Sequence, residues 1–141
     1  MEEDNIFCLL DKAGNAVDIS QFFGDLIVLN FVPYVHSVYT EKQIDVLDDF
    51  ENYKLRILTI TTDPEYTNAS FDCFFDKEGR LSEYYGCRGK LGISRRAFVV
   101  INSEDVNLID TSSFDRMSEE IFMYINPNHD QRGSEIIDGS V

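Results

Sequence analysis

Seven consecutive residues, Leu26-Ile27-Val28-Leu29-Asn30-Phe31-Val32, run with a single polar interruption. A strand with one wet face alternates apolar and polar residues, so a run that does not alternate needs cover on both faces. A central strand of an α/β sheet gets that cover from helices above and below. Leu55-Arg56-Ile57-Leu58-Thr59-Ile60-Thr61-Thr62 is alternating and β-branched, and predicts a second strand that ends at Asp63-Pro64. Between the two, Val38, Ile44, Val46, Leu47 and Phe50 fall at helical spacing among charged positions. This predicts a helix over 38–50, and strand, helix and strand form one βαβ unit with a right-handed crossover.

The flanking segments complete the layer. Ile6–Leu10 reads as a short strand, Asp11–Asn15 as a tight hairpin turn, and Val17 as the start of the return strand. Ile19–Phe23 suits one helical turn stopped by a left-handed Gly24. Phe71–Asp76 predicts a short strand and Glu78–Tyr85 a helix closed by Gly86. Arg96–Asn102 and Val106–Ile109 predict a hairpin, and Ser112 or Ser113 a cap for a last helix to about Ile125. The expected order is βββαβ(β)αββα: a mixed sheet, helices on both faces, and an N-terminal β-hairpin.

At 141 residues the chain suits one domain, expected over 1–126, followed by a polar tail over 127–141 that is expected to be mobile. With 43% hydrophobic residues it is too apolar for disorder, and no stretch approaches the roughly 20 apolar residues of a membrane span. A net charge of -14 repels phosphate backbones, which sets nucleic acid aside and leaves solubility or a basic protein partner as its use. Met1-Glu2-Glu3-Asp4-Asn5 is acidic with no apolar run after it, so a cytoplasmic location is expected. There the three cysteines, Cys8, Cys73 and Cys87, would be free thiols buried in the core, Cys8 above all.

Four segments carry a resemblance to a known family. They are Leu26–Phe31, Thr59–Asp63, Asp76-Lys77-Glu78-Gly79-Arg80-Leu81-Ser82-Glu83-Tyr84-Tyr85-Gly86, and Ser94–Ile101. Together they resemble the peroxiredoxins, of the bacterial thiol peroxidase kind, over about residues 6–125. The resemblance implies a thioredoxin-like, peroxiredoxin-type fold and an active site at the start of the helix after the first long strand. That site follows the pattern Pro-x-x-x-Thr/Ser-x-x-Cys. Placed on Phe31–Thr40, it sets Val32 at the proline, His36 at the hydroxyl residue and Tyr39 at the cysteine. The Cys-x-x-Cys pattern of related disulfide reductases meets the same His36 and Tyr39, while Pro33 stands one residue from the expected proline. Arg96 matches the arginine with which the family binds peroxide.

A helix N-terminus stabilises a thiolate, whereas a phenol of pKa about 10 is roughly one part in a thousand ionised at neutral pH. Tyr39 is therefore read as an aromatic filling a vacated thiol pocket. The expected function is that of a peroxiredoxin-like protein that has lost its active-site cysteine and binds a protein partner or a small anion near His36, Tyr39 and Arg96. The alternative is a divergent thiol oxidoreductase whose nucleophile has moved to Cys73 or Cys87. A homodimer serving as a scaffold is a third reading. No cofactor is expected, and no metal role for His36 or for His129 in the tail. Asp45, Asp48, Asp49 and Glu51 read as a solvated helix face. The family places a whole helix where Pro64–Ser70 leaves room for only a turn, which predicts an exposed patch at Phe71, Phe74 and Phe75.

Overall fold

The long apolar run forms β3 (Leu26–Val32), with Ile27 through Val32 all buried. In this computed structural model, which describes residues 5–24, 26–50, 53–102, 105–110 and 117–125, β3 is the hub of a seven-stranded sheet. It pairs in parallel with β4 (Arg56–Thr61) and antiparallel with β6 (Ala97–Asn102). β7 (Val106–Asp110) closes one edge as the hairpin partner of β6. On the other side come β5 (Phe74–Phe75) and the N-terminal hairpin of β1 (Cys8–Leu10) and β2 (Ala16–Asp18), in the order β2-β1-β5-β4-β3-β6-β7.

Alternate residues of the central strands enter different cores. Ile27, Leu29 and Phe31 join Leu58, Ile60, Val99 and Leu81 of α2 (Arg80–Tyr84) on one face. Val28, Phe98 and Val100 meet Leu47 of α1 (Val38–Leu47) and Ile121 of α3 (Met117–Ile125) on the other. Both faces of β3 are thus covered, as its composition requires. The predicted helix over 38–50 ends in a 3-10 turn at Asp48–Phe50. Ile19–Phe22 is likewise a 3-10 turn, but an extended Phe23 ends it, and Gly24 is absent from the left-handed residues. Asp45, Asp48 and Asp49 are exposed, as expected. The proposed caps Ser112 and Ser113, Glu51 and the tail over 127–141 lie outside the described residues.

The aromatic patch is among the expectations that fail. Phe71, Phe74 and Phe75 are half-buried rather than an exposed patch. The short connection after β4 covers itself: its 3-10 turn, Tyr66–Asn68, stacks the Tyr66 ring on Phe75 at 4.7 Å and 8°. Val35, Ala69 and Cys73 fill in around them.

Candidate functional site

β3 and β4 run parallel, so their carboxyl ends lie together, and in open α/β sheets that end is where ligands bind. Two segments meet there. The first is the loop Pro33–Ser37 leading from β3 into α1, and the second is Arg96, just ahead of β6, whose Ala97 pairs with Phe31.

Several polar side chains set the loop and the helix. Gln43, fully buried on α1, donates from Nε2 to Asn30 Oδ1 and to the Phe31 carbonyl, both at 2.7 Å. Asn30, the one polar residue of β3, donates in turn to Thr59 Oγ1 at 3.2 Å. Helix and sheet are thereby locked in register one turn below the site. Asp63, just past the end of β4 and nearly buried, accepts the Val35 N–H at 2.9 Å and so ties the loop to the sheet. Ser37 caps α1, its Oγ accepting the Tyr39 N–H at 3.2 Å.

Arg96 reaches across to this cap. Its Nη1 donates to Thr40 Oγ1 at 2.8 Å and its Nη2 to Ser37 Oγ at 3.0 Å. Thr40 is fully buried and donates its own proton to the Tyr34 carbonyl. The Arg96 guanidinium also stands 5.7 Å from the centre of the Tyr39 ring, and burial pushes its pKa below the usual arginine value. A guanidinium, two hydroxyls and the first amides of a ten-residue helix thus share one corner.

The sequence-level candidates divide here. Arg96 does face the helix start. Tyr39 does not fill a pocket: it is 53% exposed, because the 3.6-residue period turns it outward while Thr40 turns in. His36 is exposed in the loop before the helix. The side chains that Arg96 holds are Ser37 and Thr40, which sequence reasoning passed over. The signal was present, since Pro33-Tyr34-Val35-His36-Ser37-Val38-Tyr39-Thr40 fits Pro-x-x-x-Ser-x-x one residue later than first placed.

The thiols lie elsewhere. Cys73 and Cys87 are buried, as expected, and burial pushes their pKa values up to about 11 and about 12. Cys8 is exposed, against expectation: β1 has only three residues, and alternation gives the inward place to Leu9. Among the described residues no cluster of His, Cys, Asp and Glu could hold a metal, and no helix is long and apolar enough to cross a membrane.

A sequence model of the AhpC/TSA family matches residues 4–107. The chain belongs to the AhpC/TSA family. No curated protein matches this family member in sequence. Its fold recurs in solved structures. The Xanthomonas campestris bacterioferritin comigratory protein, studied for alkyl peroxide reduction, is 15% identical with a TM-score of 0.68, over 87% of this chain and 93% of that one. Xylella fastidiosa PrxQ is 12% identical with a TM-score of 0.68, over 89% and 92%. The mitochondrial 2-Cys peroxiredoxin of Plasmodium falciparum is 19% identical with a TM-score of 0.61, over 86% and 90%. At these identities the likeness is one of fold: the thioredoxin-like, peroxiredoxin-type architecture expected from the sequence.

Proposed function

We propose that this AhpC/TSA-family chain has lost the family's thiol chemistry and works as a binding protein, with a small anion or a protein partner engaging the corner of Ser37, Thr40 and Arg96. The observation that carries this reading is the 2.8 Å bond from Arg96 to Thr40. With the family's pattern set on Pro33, Ser37 and Thr40, a threonine stands where the cysteine belongs. An alcohol there stays protonated at neutral pH and lacks the nucleophilicity of a thiolate. A guanidinium at a helix N-terminus retains the means to attract an anion. The net charge of -14 favours a basic partner elsewhere on the surface over nucleic acid.

The alternative, a nucleophile moved to Cys73 or Cys87, has little support from the environment of either thiol. With pKa values of about 11 and about 12, no more than about one part in ten thousand is thiolate at pH 7.

The test is peroxide consumption by the purified protein with a thiol reductant. No thiol-dependent turnover is expected. The Thr40→Cys variant is expected to form a sulfenic acid at residue 40 when given hydrogen peroxide, more slowly when Arg96→Met is added. A peroxidase rate in the unaltered protein that vanishes in Cys73→Ser or Cys87→Ser would overturn the proposal.

A further inference from the structure

The far end of α1 carries a second chemical grouping. The turn Asp48–Phe50, Tyr53 and the outer face of α3 enclose a surface cleft of about 260 Å³, lined by Asp49, Phe50, Tyr53, Glu119 and Phe122. Ten helical residues, about 15 Å at 1.5 Å each, separate it from the Ser37 cap.

Three rings form its walls. Tyr53 meets Phe50 edge-to-face with centroids 5.4 Å apart and planes at 61°, and meets Phe122 at 6.0 Å and 86°. Phe50 is buried at the base, while Tyr53 is 37% exposed. Tyr53 and the half-buried Phe122 leave part of their rings open beside the cleft, and a cation within about 6 Å of a ring centre is attracted by its quadrupole. Two carboxylates, on the exposed residues Asp49 and Glu119, stand among the lining groups.

A purely apolar edge of the core has no use for carboxylates, and a purely acidic surface has no use for part-exposed rings. Aromatic faces with carboxylates are complementary to one class of ligand, an organic cation. At about 260 Å³ the cleft falls short of the 300–1,000 Å³ typical of sites for whole small molecules. It suits a single head group presented by a larger body. The net charge of -14 draws basic bodies toward the whole surface.

We propose that the cleft of Asp49, Phe50, Tyr53, Glu119 and Phe122 receives the Lys or Arg head group of a basic protein partner.

The test is a titration of the full chain, followed through the ring resonances of Phe50, Tyr53 and Phe122. The probes are a synthetic peptide of alternating glycine and arginine, the same peptide with citrulline for arginine, and tetramethylammonium chloride. The arginine peptide is expected to shift those resonances saturably and the neutral citrulline peptide to leave them in place. Tyr53→Leu is expected to weaken arginine-peptide binding about tenfold. Glu119→Gln, at an exposed position that leaves folding intact, is expected to weaken it several-fold. Equal response to the citrulline peptide overturns the proposal, as does binding indifferent to both substitutions. Binding of tetramethylammonium without binding of the peptide also overturns it, in favour of a free small cation.

Discussion

Thr40 is fully buried, and its hydroxyl works in both directions: it accepts from Arg96 and donates to the Tyr34 carbonyl. Thr40→Val keeps the shape and removes both bonds, which leaves a carbonyl and a guanidinium short of a partner. The expected cost is about 1–3 kcal/mol in urea denaturation, and Thr40→Ser should recover most of it. The cysteines separate by burial. Cys8, exposed on β1, should be the thiol that iodoacetamide labels in the native protein, with Cys73 and Cys87 labelled only after unfolding. Mass spectrometry of alkylated peptides checks the order, and rapid native labelling of Cys73 or Cys87 would restore the thiol-enzyme reading.

Among the elements, α2 depends on a residue that is not part of it. Asp76, 1% exposed, accepts the Leu81 N–H, the Ser82 N–H and the Ser82 hydroxyl, each at 2.9 Å. The helix has only five residues, too few to persist without such help. Asp76→Ala strands two buried amides, and a loss of about 2 kcal/mol or more is expected, read as a lower urea midpoint. Gly79, the residue before α2, has φ +69°, and a Cβ there would lie 2.6 Å from the Gly92 carbonyl oxygen. Backbone cannot yield as a flexible side chain can, so Gly79→Ala should destabilise as well. α1 is held differently, by Gln43 reaching the end of β3, and this bond carries Thr40 to within reach of Arg96.

For the molecule as a whole, the buried thiols make stability depend on alkaline pH. Both hold their protons more tightly folded than at their ordinary pKa near 9, so the unfolded chain releases protons that the native one retains. The contribution of the two thiols is therefore full below about pH 9 and falls as pH rises. The thiol contribution is lost once the pH passes about 11 for Cys73 and about 12 for Cys87. The slope is at most about 1.4 kcal/mol per pH unit for each thiol. Urea midpoints at pH 8 to 11 should show this decline, and Cys87→Ala should make it shallower, with Cys73 and the half-buried Tyr85 supplying the remainder.

Much of the architecture was legible in advance because it rests on repeated signals. Every residue of β3 except Asn30 argued for two covered faces, and alternation, turn residues and helical spacing each recur over several positions. The absence of a cysteine from the start of α1 was equally plain from the residues alone. What needed the tertiary structure was the choice between neighbours. A periodic pattern tolerates a shift of one residue, whereas a hydrogen bond does not, and the bond between Arg96 and Thr40 joins side chains 56 positions apart. That bond reaches Thr40, one residue beyond Tyr39. The outward turn of Cys8 and the cover over Phe75 were settled in the same way, by contacts between segments that no local periodicity records.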